Sequence, residues 1–145
     1  GAHLATVEKL TAAGIPVMGH LGLTPQSLHQ LGGYRVQGRT DGDAIVEAAL
    51  ALEKAGAFAI VLELVPADLA SRISKALTVP TIGIGAGTDC DAQVLVWTDM
   101  AGLTANPPKL AKAYRNLRQE LMGAAQEFAE EVRSGKFPTE SQTFH

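Results

Sequence analysis

An α/β fold built on a parallel sheet is what this sequence predicts, and three observations predict it. Segments with apolar residues at helical spacing alternate with short, nearly continuous apolar runs. The apolar runs, above all Ala57-Phe58-Ala59-Ile60-Val61-Leu62 after Gly56, read as strands covered on both faces, as the strands of a parallel sheet are. Glycines and capping residues separate the two kinds of segment.

Leu4, Val7 and Leu10 lie at helical spacing, and Gly14 is placed to end that helix in a left-handed conformation. Residues 15–18 read as a strand that delivers Gly19 and His20 at its C-terminal end. Thr24-Pro25 reads as a helix start and Gly32-Gly33 as its stop, followed by an ordered loop over 34–40. Thr40 and Asp43 resemble a second helix start, with Ile45, Val46, Ala49 and Leu52 as its apolar face and Gly56 as its end. The strand ending at Glu63 comes next, then a helix over about 67–77 with Asp68 in its positive first turn. A third strand is predicted over 79–84 and a fourth over 94–97. Only about eight residues join these two, where a parallel crossover normally takes about ten or more. A single helical turn or a hairpin would fit, and the apolar character of both strands favours the parallel arrangement with one turn. The C-terminal third predicts one long helix, because Leu110, Tyr114, Leu117, Leu121, Ala125, Phe128 and Val132 form a sustained stripe suited to burial against the sheet or another subunit. Lys109, Lys112, Arg115 and Arg118 read as its solvated side.

At 145 residues the chain has the length of one domain, and no linker or repeat divides it. No apolar run approaches the ~18 residues of a membrane span, and no charged-then-apolar leader precedes a cleavage site, so no membrane partner is expected. A net charge of −3 argues against nucleic-acid binding through phosphate contacts. One cysteine, Cys90, excludes an internal disulfide and fits a reducing compartment. A cytoplasmic location is expected.

Glu63 is the outstanding residue. It closes the most apolar run of the chain and is followed by Leu64-Val65-Pro66. Carboxylates are seldom left in such surroundings without a partner or a task. Desolvation at a strand end disfavours its charged form and suits it to accept a proton near neutral pH. A buried glutamate satisfied by backbone N–H groups or an arginine is the structural alternative. His20, Glu63, a glycine-rich turn over 83–87 and Asp99 all fall at predicted strand ends, where α/β folds build their sites. His20 has a hydrogen-bonding role to a ligand or to the fold. Gly83, Gly85 and Gly87 allow close approach of a ligand or simply make a turn, and their spacing is not that of a dinucleotide fingerprint. Asp99 is best read as capping the turn at Gly102. Asp89 and Asp91 flank Cys90 and oppose formation of a thiolate, so Cys90 is not expected to be a nucleophile. No zinc-type spacing and no Ser-His-Asp arrangement is present. Glu63 and Asp99 alone make an incomplete ligand set for a hard cation.

The run Gly14-Ile15-Pro16-Val17-Met18-Gly19-His20-Leu21-Gly22-Leu23-Thr24-Pro25-Gln26-Ser27, with Leu31-Gly32-Gly33-Tyr34-Arg35-Val36-Gln37-Gly38-Arg39-Thr40, closely resembles the ketopantoate hydroxymethyltransferase family. The resemblance continues through Val61-Leu62-Glu63-Leu64-Val65-Pro66 and Pro80-Thr81-Ile82-Gly83-Ile84-Gly85-Ala86-Gly87. Asp89-Cys90-Asp91, Asp99-Met100 and Phe137-Pro138 extend it over nearly the whole chain. It implies a (β/α)8 TIM-type barrel related to the phosphoenolpyruvate mutase group and assembled into homo-oligomers. The implied activity moves a hydroxymethyl group from 5,10-methylenetetrahydrofolate onto 3-methyl-2-oxobutanoate, giving 2-dehydropantoate in pantothenate biosynthesis. The implied cofactor is Mg2+, which chelates the 2-oxo acid. Glu63 matches the family's catalytic base, which deprotonates substrate C3, and His20 matches a histidine of the substrate pocket.

In the family, the metal-binding carboxylates and a substrate-binding lysine belong to the first half of the barrel, the last of them in a Lys-Leu-Glu-Gly-Gly segment whose final glycine aligns with Gly1. The resemblance therefore implies that residues 1–145 form the C-terminal half of a single barrel domain, without an internal boundary and without metal ligands of their own. A barrel of this type takes roughly 250 residues. The isolated half is expected to be inactive and to need the N-terminal half as a partner. Two other readings are a non-catalytic half-barrel that serves as an oligomerisation scaffold, and another 2-oxo-acid enzyme of the phosphoenolpyruvate mutase group.

Overall fold

A computed structural model describes residues 4–24 and 36–145. The contacts divide the chain into two compact units, Gly1–Val94 and Leu95–His145. The first holds α1 (Leu4–Ala12), β1 (Met18–Gly22), α2 (Gly42–Lys54), β2 (Ala59–Glu63), α3 (Ala67–Ala76), β3 (Thr81–Ile84) and β4 (Ala92–Gln93). Its four strands form one sheet in the order β1-β2-β3-β4, and every pairing is parallel. The strands lie in sequence order, and the first three are joined through α2 and α3, the repeating unit of a (β/α) barrel wall.

Register decides which side chains reach which face. Met18 to Gly22 lie opposite Ala59 to Glu63, and Ile60 to Glu63 lie opposite Thr81 to Ile84. With a side-chain period of two, Ile60 and Leu62 share one face with Leu21 and pack against Ala49 of α2 and Leu69, Ala70 and Ile73 of α3. Ile60, Leu62, Ala70 and Ile73 are fully buried, so this face is the core. His20, Val61, Glu63, Ile82 and Ile84 occupy the other face.

Two carboxylates clamp the elements behind the sheet. Glu53 Oε1, near the end of α2, accepts from Thr78 N (2.7 Å), Thr78 Oγ1 (2.8 Å) and Val79 N (3.0 Å) and so fixes the entry to β3. Asp91 Oδ2 accepts from Thr81 N (2.7 Å) and Thr81 Oγ1 (2.9 Å). The fully buried Thr81 hydroxyl also accepts from Ser74 Oγ at 2.7 Å, its own hydrogen being given to Asp91. The backbone N–H of Thr78, then its hydroxyl, hold the Glu53 carboxyl below the ordinary glutamate range, and Thr81 does the same to Asp91. Depressed carboxyl values stabilise the fold above the unfolded-state pKa, and that contribution is lost as pH falls through the lowered folded-state values. Glu53→Gln and Asp91→Asn are therefore expected to lower the urea midpoint at pH 6 and to differ less from the parent protein at pH 3.

The second unit contains α4 (Trp97–Met100), α5 (Leu117–Ser134) and a 3-10 turn at Glu140–Gln142. The Asn116 side chain caps α5 by accepting from Gln119 N, and Gly135 ends it at φ 69°. No helix among the described residues is long and apolar enough to cross a membrane.

Several sequence expectations shift. β1 begins at Met18 rather than at residue 15, because Ile15 N turns back to Leu10 O and Pro16 has no N–H to give a ladder. The fourth strand is Ala92–Gln93 instead of 94–97, and Trp97 opens a helical turn. The β3–β4 connection is parallel, as expected, but holds no helical turn: Gly85 and Gly87, at φ 65° and 82°, bend it directly. The long C-terminal helix starts at Leu117, not Leu110. Tyr114 N, Leu117 N and Arg118 N donate to Met100 O, Ala101 O and Gly102 O, which holds the segment before α5 out of a helix. No residue of α5 is buried within the chain. The helix expected to follow Thr24-Pro25 falls at 25–35, outside the described residues.

Candidate active site

Glu63 is the last residue of β2, and its backbone is held from both neighbouring strands. Its carbonyl accepts from Leu23 N at 2.9 Å, while the next amide, Leu64 N, donates to Ile84 O at 3.0 Å. Leu64 then adopts φ 50°, a left-handed conformation that is costly for a leucine. That turn carries the Leu64 carbonyl to Gln37 N at 2.8 Å and lets the chain leave the sheet toward α3.

On β1, Gly22 lies opposite Glu63, and His20 lies two residues earlier on the same face. The diagonal distance suits a long side chain. His20 Nε2 and Glu63 Oε2 meet at 3.0 Å, with side-chain exposures of 33% and 15%. The two residues that the sequence places at strand ends are thus in contact, on one face, at neighbouring strands. An ionised carboxylate only accepts, so the imidazole is the donor. Glu63 remains partly exposed, which is the condition for taking a proton from a bound molecule. On another side His20 borders a cleft of about 400 Å3 whose further lining includes Leu4, Leu21, Glu47, Ala51 and Leu52.

The other candidates have structural surroundings. A Cβ on Gly83 would lie 3.0 Å from Cys90 Sγ and from the Gln93 amide, and one on Gly87 would lie 2.5 Å from Ala67 Cβ. Gly83 and Gly87 thus abut protein, while Gly85 is exposed. Cys90 packs on the core. Asp99, in the second unit, is buried; its carbonyl accepts from Gly102 N and its carboxylate from Thr104 Oγ1. That is the turn-capping role expected from the sequence. Among the described residues, no group of three or more His, Cys, Asp or Glu side chains is arranged to hold a metal ion.

Two residues of this site have no mark in the sequence reading. Gly22 takes φ 90°, and a Cβ there would collide with the Glu63 carbonyl oxygen and lie 2.8 Å from Val65 Cγ1. A glycine closing a strand was its one available signal. Leu64 carries none, since nothing in a leucine announces a positive φ.

Comparison with known proteins gives a consistent picture. The sequence model of a family described as ketopantoate hydroxymethyltransferase matches residues 1–140. A protein of Acidothermus cellulolyticus named 3-methyl-2-oxobutanoate hydroxymethyltransferase is 61% identical over 140 residues, 95% of this chain and 52% of the relative. Proteins of the same name from Frankia alni (57% over 147 residues, 99% of this chain, 48% of the relative) and Acaryochloris marina (59% over 135 residues, 92% and 52%) are similar to the same extent. The chain spans about half the length of the curated relatives it matches.

Proposed function

This chain belongs to the ketopantoate hydroxymethyltransferase family, and from that premise we propose that it carries the proton-abstracting part of an enzyme acting on 3-methyl-2-oxobutanoate, with Glu63 as the general base. The observation that supports this most is the contact of Glu63 with His20 at the C-terminal ends of adjacent parallel strands, the side of such sheets where chemistry is built. Glu63 takes the proton from substrate C3, and the electrons of that bond pass to the 2-oxo group. The resulting enolate carbon attacks the one-carbon unit of 5,10-methylenetetrahydrofolate, water supplies the hydroxyl, and tetrahydrofolate leaves. His20 lines the substrate pocket beside the base.

Residues 1–145 are proposed to be the C-terminal half of one (β/α)8 barrel domain. The described residues, lacking a grouped set of metal-ligating side chains, do not by themselves fit the Mg2+ that the family resemblance implies. Its ligands are proposed to lie in the other half of the barrel. A homo-oligomer is proposed, supported by Leu117, Leu121, Phe128 and Val132 of α5, which are 41–60% exposed, and a cytoplasmic location is proposed from the single cysteine.

Incubating the complete polypeptide with 3-methyl-2-oxobutanoate and the folate donor, and following the product by mass spectrometry, tests the reading. Formation of 2-dehydropantoate only with the folate present supports it. Cleavage of the 2-oxo acid without folate would assign the chain to a lyase instead.

A further inference from the structure

Resting on the reading of Glu63 as proton acceptor, we propose that His20 is a positioning residue: its imidazole holds one carboxylate oxygen, Oε2, and reserves the other, Oε1, for the proton leaving C3. The backbone of Glu63 is already pinned by Leu23 N on one side, and the Leu64 N–H to Ile84 O bond fixes the peptide that follows it. Rotation of its side chain is the freedom that remains. His20 Nε2, 3.0 Å from Oε2, removes that freedom from a strand whose register with β2 is fixed at Gly22 opposite Glu63.

The arrangement serves both protonation states. Before transfer, Nε2–H donates to an ionised carboxylate. The C3–H bond then breaks, its electrons stay with the enolate, and the proton bonds to Oε1. Oε2 becomes the carbonyl oxygen of the acid and still accepts the same hydrogen bond. The imidazole therefore neither gains nor loses a proton, and its Nε2 hydrogen is committed to Glu63 rather than to the substrate.

The test uses the complete polypeptide with His20→Ala, His20→Gln and Glu63→Gln, following exchange of the C3 hydrogen into D2O and the imidazole 15N shifts of His20. Loss of a hydrogen bond to a charged group corresponds to ~10- to 100-fold. His20→Ala is expected to lower the exchange kcat by that factor, with KM changing less than about threefold. In His20→Gln the side-chain amide reaches the position of Nε2, so the rate is expected to return to within about fivefold of the parent. The 15N shifts are expected to show Nε2 protonated and to move in Glu63→Gln. A raised KM with unchanged kcat in His20→Ala would mean that His20 binds substrate directly and would overturn the proposal. So would failure of His20→Gln to recover the rate, or an imidazole protonated on Nδ1 alone. Full exchange by Glu63→Gln is a different result: it would remove the reading of Glu63 on which the proposal stands.

Discussion

Gly22→Ala is expected to destabilise the protein by on the order of 3 kcal/mol or more, seen as a fall of roughly 10 °C in Tm. Two independent effects add. At φ 90° an L side chain is strained whatever the space around it. The new methyl would also run into the Glu63 carbonyl oxygen, which is backbone and cannot swing aside, and into Val65 Cγ1 at 2.8 Å. Relief requires β1 and β2 to move apart at the point where Leu23 N bonds Glu63 O. The displacement falls on the carbonyl of the proposed base, so any folded Gly22→Ala protein is expected to lose proton-transfer activity beyond its loss of stability. A thermal melt within about 2 °C of the parent would show that the strand ends are looser than this packing requires.

Glu63→Gln has the largest expected effect on chemistry. The amide matches the carboxylate in shape and its oxygen can still accept from His20 Nε2, so the fold is expected to be kept. It cannot take a proton. General-base removal costs typically 10²–10⁴-fold, and a loss of about 10³-fold in C3 hydrogen exchange is expected, with substrate KM little changed. Glu63→Asp keeps the charge but withdraws it by one methylene from both His20 and the substrate. It is expected to fall between the two, because geometry and basicity are both needed.

Most of the alternation of helices and strands could be read from the chain because burial writes it there. α3 and β2 follow the apolar spacing closely, and Glu63 stood out because a carboxylate ending such a run is chemically costly. The boundaries set by backbone bonds could not be read. Nothing in the sequence near Ile15 reveals that its amide turns back to Leu10, and the Leu110–Tyr114 spacing mimics helix although main-chain bonds to residues 100–102 hold the segment before α5 elsewhere. The pairing of His20 with Glu63 was also out of reach. The strand-end pattern grouped the two residues, but their direct contact depends on a register between strands 43 positions apart in sequence, which only the folded sheet defines. Leu64 marks the same limit, since its positive φ is imposed by hydrogen bonds to Ile84 and Gln37 and not by its own preference.

The claim that this chain is the base-bearing half of a larger hydroxymethyltransferase is tested most directly by C3 hydrogen exchange of 3-methyl-2-oxobutanoate in D2O. The 145-residue chain, the remaining half of the protein, and the two together are compared, each mixture being prepared with the parent chain and with its Glu63→Gln variant. Exchange is expected only in the mixture, and only when the chain keeps its glutamate at that position. Exchange by the 145-residue chain alone, or an undiminished rate in the mixture with Glu63→Gln, would contradict the account.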